Sequence, residues 1–190
     1  MNIKKLFKKN LIHTSTTDNK ASFKEIVYFV HNNLIENISN TLCTKNKSDR
    51  PFSIPYLPAD VAIDCEVIHT CNNLEHLSED EFANLVATIF FHLPYKQAQK
   101  LAQQNGYNPI STERLMYLYC YITTLKNLKE FSDAGIKKYQ ISTCNDEKTC
   151  EKCKKHDGKK HYVEKAIIGK NAPPFCEHCR CTIIADFGKI

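Results

Sequence analysis

The chain has 190 residues, 42% hydrophobic and 25% charged, with ten cysteines, five glycines, seven prolines and no tryptophan. That is the size of one domain, or of one domain with a small satellite, and it carries enough apolar residues to exclude a disordered chain by composition. No repeat is visible; the most apolar stretch, Leu85 to Leu93, falls far short of the ~20 residues of a membrane span, and MNIKKLFKKNLIHT lacks the apolar core of a secretory signal, so a soluble protein that stays where it is made is expected.

Net charge is +5 and unevenly placed: residues 1–10 carry +4, residues 11–125 carry −4 and residues 126–190 carry +5. Residues 1–20 read as a flexible basic arm, either a solvated tail or a contact for phosphate or an acidic lipid surface through Lys4, Lys5, Lys8 and Lys9. A helical region is expected over 21–130. Its first helix starts at Ser22 and carries Phe23, Ile26, Val27, Val30, Leu34, Ile38 and Leu42 at spacings of three and four. Residues 43–60 hold Pro51, Pro55 and Pro58, which forbid a helix and predict an extended connector.

Ser78 with Glu81 then forms a capping box ahead of Phe82, Leu85, Val86, Ile89 and Phe90, and Pro94 closes that helix. Tyr95 to Gln104 reads as the next helix, ended by Asn105-Gly106. Ser111 caps another, with Leu115, Leu118, Tyr119, Ile122 and Leu125 as its stripe. Short turns between these helices predict a bundle or an antiparallel helical stalk.

The last third differs in kind. Four of the five glycines lie there, with short β-like runs at Ile136–Ser142, His161–Val163 and Thr182–Ile184. It has few residues for a core, so another force must hold it together.

The cysteines supply that force. Cys150-x2-Cys153 and Cys176-x2-Cys179 are two thiol pairs 22 residues apart, and inside a cell such spacing argues for metal before disulfides. Each pair sits on a turn that can aim both sulphurs at one ion, and two turns complete a tetrahedral Zn site that is structural because no position stays open for water. Cys181 can substitute for Cys179, since both face one side of an extended strand, and His178 lies next to them. Cys144 is expected to be a core thiol. Cys65, His69, Cys71 and His76 match no common ligand spacing and are set aside as a second site. Between the pairs, residues 148–170 carry eight lysines against Glu151, Asp157 and Glu164. Lys152, Lys154, Lys155, Lys159 and Lys160 therefore form either a contact surface for phosphate or an acidic protein, or a solubilising face.

Residues 131–186 resemble the C-terminal module of phage head morphogenesis proteins, the Mu F-like minor head protein family. The elements that carry the resemblance are Ala134-Gly135, Thr143, Asp146, Lys148-Thr149-Cys150, Cys153, Asp157-Gly158-Lys159, Pro173-Pro174 and Cys179-Arg180-Cys181. One element departs: the family's His-Pro is Cys176-Glu177, which is a conservative replacement if that histidine is a metal ligand and a lost role if it serves another purpose. The resemblance implies a minor capsid component of a phage or prophage, made in the bacterial cytoplasm and residing in the phage head. Its implied partners are the portal or other head proteins, and non-specifically DNA, with no membrane.

The expected architecture is α+β: a helical N-terminal region followed by a small zinc-stapled β-rich module at 131–190, with no enzymatic activity. Two other readings compete. An HNH-type zinc-stapled endonuclease would use His156 and His161 between the thiol pairs, but no Asp-His pair precedes an apolar strand. A helix-turn-helix DNA-binding regulator would use LAQQNGYNPISTERLMYL, but Thr112 occupies a position that wants an apolar residue, and Arg114 is the lone basic group of the would-be recognition helix. Nucleophile elbows, phosphate loops and dinucleotide fingerprints are absent from the sequence.

Overall fold

The computed structural model describes residues 22–32 and 59–188. The basic arm, the second half of the first predicted helix and nearly all of the connector lie outside the described residues. Helix α1 spans Phe23–Asn32 and buries Phe23, Val27 and Val30, the start of the predicted stripe. Helix α2, Ala59–Glu75, starts directly after Pro58 and replaces the last two residues assigned to the connector.

The sequence reading missed α2. Its buried residues are Cys65, Val67, Ile68 and Cys71. With the two thiols weighed as metal donors, the apolar face loses half its members. A free cysteine, however, packs as a small hydrophobe.

Helix α3, Glu79–Ile89, begins as predicted. Ser78 Oγ accepts from the Glu81 N–H at 3.2 Å, and the Glu81 carboxylate accepts from the Ser78 N–H at 3.0 Å. Phe82, Leu85, Val86 and Ile89 are buried. Helix α4, Tyr95–Gln104, ends at Asn105, and Gly106 follows at φ +89°, a conformation that glycine adopts without a Cβ penalty. Helix α5, Thr112–Asp133, is capped by Ser111, whose Oγ accepts from the Arg114 N–H at 3.0 Å.

Helix α5 has two buried sides. Leu115, Leu118 and Ile122 join the core made by α1 to α4. Cys120, with Leu128 and Phe131 partly buried, joins a second core shared with the following sheet. Tyr119, counted in the predicted stripe, is 39% exposed.

After α5 the chain forms an antiparallel sheet of β1 (Lys138–Ser142), β2 (Lys160–Tyr162) and β3 (Thr182–Asp186) in the order β2-β1-β3. Tyr139 pairs with His161 and with Ala185, and Ile141 with Ile183. The alternation puts Tyr139, Ile141 and Ile183 into the second core. Asp157-Gly158 makes the tight turn into β2, with Gly158 at φ +70° and its N–H donating to the Ile141 carbonyl at 2.9 Å. The result is a mixed fold, helical first and a small antiparallel sheet second. Among the described residues no helix is long and apolar enough to cross a membrane.

Candidate metal centre

Two loops carry the thiols, and ordinary turn chemistry shapes both. After β1, Asp146 accepts from the Lys148 N–H at 3.1 Å and from Thr149 Oγ1 at 2.9 Å, which closes a turn directly ahead of Cys150. Cys150 caps the single-turn helix α6, Glu151–Lys154, and its Sγ accepts from the Cys153 N–H at 3.4 Å. In the second loop the Cys179 N–H donates to the Cys176 carbonyl at 3.1 Å, the matching turn. Arg180 then binds the loops together, donating through Nη1 to Asp146 Oδ2 at 2.7 Å and through Nη2 to Oδ1. This guanidinium holds the Asp146 carboxyl well below the usual carboxylate range. Asp157 does similar work, accepting from the Thr143 N–H at 2.9 Å, from Thr143 Oγ1 at 3.0 Å and from Asn145 Nδ2 at 2.8 Å.

The sulphurs meet across these loops. Cys150 Sγ lies 3.6 Å from Cys176 Sγ, Cys153 Sγ lies 3.6 Å from Cys176 Sγ, and Cys153 Sγ lies 3.8 Å from Cys179 Sγ. A tetrahedron with Zn–S near 2.3 Å has an S···S edge of about 3.8 Å, so the three separations fit a thiolate-bound zinc ion. Such an ion would hold the two loops together. The four predicted ligands do not form one shell in which every pair is close. Cys153 belongs to two groups, Cys150–Cys153–Cys176 and Cys153–Cys179–Cys181, each with its sulphurs within 4.8 Å of one another. Cys181, the predicted substitute, thus sits beside Cys179 in an inner group whose three residues are all buried.

Helix α5 adds a sixth thiol that the sequence did not single out. Cys120 is buried, and its Sγ donates to the Cys181 carbonyl at 3.4 Å. A second thiol contact, to Cys179, raises the Cys120 pKa and depresses that of Cys179, and Cys181 is raised by its own contact to Cys179. Burial also pushes Cys153 and Cys176 up, while the Cys153 N–H lowers the exposed Cys150. The protein alone thus draws Cys179 and Cys150 towards the thiolate and holds Cys120, Cys153, Cys176 and Cys181 towards the thiol. A bound dication favours the thiolate at every sulphur it touches, against the burial that raises Cys153 and Cys176.

Around the outer group lies a cleft of about 150 Å³, lined among others by Cys144, Lys148, Thr149, His178 and Arg180. Cys144 is exposed rather than a core thiol, because its Sγ turns outward to donate to the Arg180 carbonyl at 3.6 Å. His178 is exposed and joins neither sulphur group. Cys65 and Cys71 belong to the helical core, and among the described residues no donor group forms there. His156 is stacked on Phe175, ring centroids 3.9 Å apart, and burial lowers its pKa. Neither His156 nor His161 joins a group able to hold a metal.

The five predicted lysines are all exposed. Lys154 pairs with Glu151 at 2.9 Å and Lys160 with Asp186 at 3.2 Å, whereas Lys152, Lys155 and Lys159 make no ion pair among the described residues. Beside them Tyr162, 46% exposed, has Lys138 Nζ 4.9 Å and Lys165 Nζ 5.6 Å from its ring centre.

Residues 97–184 match the family described as Phage Mu protein F like protein. That segment is what the chain has in common with the Mu F-like family. No curated protein and no solved structure matches the chain. The Mu F-like proteins are phage head morphogenesis proteins, a structural rather than an enzymatic family. The matched segment starts well before residue 131, where the motif resemblance begins, and takes in most of α4 and all of α5. Packing accounts for the longer segment: α5 supplies Cys120, Leu128 and Phe131 to the core of the sheet.

Proposed function

We propose that this chain is a minor head protein of a phage or prophage, folded at its C-terminal end around a structural zinc ion and docked by a basic face onto the portal or another head protein. The observation that carries the reading is a coincidence. The Mu F-like segment contains the thiol cluster, and its sulphurs already stand at the edge length of a zinc tetrahedron. Cys150, Cys153 and Cys176 hold the ion, with Cys179 as fourth ligand and Cys181 able to take its place. Binding free energy at such a site is folding free energy. That suits three strands of five, three and five residues, which bury too little to stand unaided.

In this reading residues 21–130 are the helical region, 131–190 the zinc module and 1–20 the arm, and α5 ties the first two together. The protein is made in the bacterial cytoplasm and ends in the phage head. Lys152, Lys155 and Lys159 are the docking cations, because Lys154 and Lys160 already hold carboxylates. The endonuclease reading finds no metal-binding histidine group among the described residues, and the regulator reading is disfavoured because α5 is packed on two sides and Arg114 is held by Glu81 at 2.7 Å.

The test is co-purification with the portal of the same phage. The wild type should co-purify and carry zinc near one per chain, the capacity of one four-thiolate site. Lys155→Glu with Lys159→Glu should lose the portal and keep the zinc. Retention of the portal by that double variant rejects the docking face, and a metal-free wild type with an ordered sheet rejects the zinc.

A further inference from the structure

A single tetrahedral zinc uses four sulphurs, but six thiols converge on the module: Cys120, Cys150, Cys153, Cys176, Cys179 and Cys181. The surplus is organised. The inner group, Cys153–Cys179–Cys181, is 4%, 2% and 6% exposed, whereas in the outer group Cys150 is exposed and Cys176 half-buried, and the cleft reaches Cys153 and Cys181 as well as these two. The two groups have one sulphur in common, that of Cys153. A thiolate sulphur has lone pairs enough to bind two ions at once.

We propose that the module has a second metal position, formed by Cys153, Cys179 and Cys181, which takes a soft, thiophilic ion and is bridged to the first through the Cys153 sulphur. This rests on the zinc reading, because both positions use Cys153. With one ion present, Cys179 closes the shell of the outer position. A second ion draws Cys179 back to the inner group, where the structure already places it, and leaves Cys150 and Cys176 as the terminal ligands of the outer ion. Each newly bound thiol gives its proton to water.

Donor type selects the ion. The inner group has sulphur alone, and its burial favours thiolate-seeking ions such as Cd(II) and Cu(I) over ions that prefer oxygen or water. Cys120 supports the position from α5: its Sγ donates to the Cys181 carbonyl at 3.4 Å and so fixes the backbone that carries one ligand. Charge favours the second ion as well. Four thiolates around one dication leave two net negative charges, while five around two dications leave one.

The experiment is a Cd(II) titration of the full-length, metal-stripped chain, read by native mass spectrometry and by cadmium-113 NMR. The wild type should bind a first and then a second Cd(II), and the two cadmium resonances should show scalar coupling through the shared sulphur. Cys181→Ser should bind the first Cd(II) and lose the second. Saturation of the wild type at one Cd(II) overturns this proposal and leaves the single-ion reading standing. Failure to bind any overturns both. Two ions in Cys181→Ser, or two uncoupled resonances in the wild type, overturn the shared inner position. Cys150→Ser gives a second check that leaves the inner group untouched: it should keep one buried Cd(II) there.

Discussion

Cys153 is the sulphur on which the module turns, common to both thiol groups and buried where Cys150 is exposed. Cys153→Ser should therefore abolish zinc binding and expose the amides of 144–186 to hydrogen exchange, while α1 to α4 keep their protection. Zinc retained by this variant would remove Cys153 from the shell. The same scale holds a pH prediction. Asp146 is held below its ordinary value of 3.8 by Arg180, so its contribution to stability is present above that value and is lost as pH falls through the depressed one. The urea midpoint of the wild type should exceed that of Asp146→Asn at neutral pH, and the gap should shrink below about pH 4. A constant gap down to about pH 2 would mean that the pair contributes nothing. The two Cys-x2-Cys pairs were legible because each is a local turn. The order in which sulphurs meet was not, because it depends on rotamers and on how the Asp146–Arg180 clasp sets one loop against the other. Cys120 left no local trace, since its role comes from the far face of a helix.

Helix α5 decides how the elements sit. A helix with one buried stripe shows strong periodicity, but α5 buries Leu115, Leu118 and Ile122 on one side and Cys120, Leu128 and Phe131 on the other. The sequence reading found the helix through Ser111 and the first stripe, and had no signal for the second. The converse error occurred at α2, where buried cysteines hid an apolar face. The capping box of α3 was legible in full because it uses four consecutive residues and no tertiary contact. Leu118 is completely buried at the centre of the helical core. Leu118→Ala should lower stability by about 2–5 kcal/mol, the cost of a cavity at a site packed on several sides. If α5 couples the two cores, zinc should also leave this variant faster on addition of a chelator. Unchanged zinc release would show that the cores are energetically separate.

At the scale of the whole molecule the charge is divided: residues 11–125 are net acidic and residues 126–190 net basic, so the module presents a cationic face beside an anionic helical region. Two partners fit a cationic face, DNA and an acidic protein, and they differ in what else they need. A duplex surface neutralises several phosphates and commonly adds arginine or stacking aromatics. Here Arg180 is committed to Asp146, and Tyr162, an exposed aromatic, stands between Lys138 and Lys165. Only Lys152, Lys155 and Lys159 remain for phosphates among the five predicted contacts. Three contacts give a salt slope of about −2.7 for duplex DNA, too shallow for tight binding at physiological ionic strength. The full chain should accordingly bind duplex DNA weakly, without sequence preference, and Lys155→Glu with Lys159→Glu should flatten the slope by about 2. The same pair should end portal capture, because an acidic protein surface offers fixed carboxylates in place of a mobile counterion atmosphere. A fluorescence titration over about 50–200 mM salt, run with and without residues 1–20, separates the outcomes. Tight and steeply salt-dependent binding that survives removal of the arm would make DNA, and not a head protein, the partner of this face.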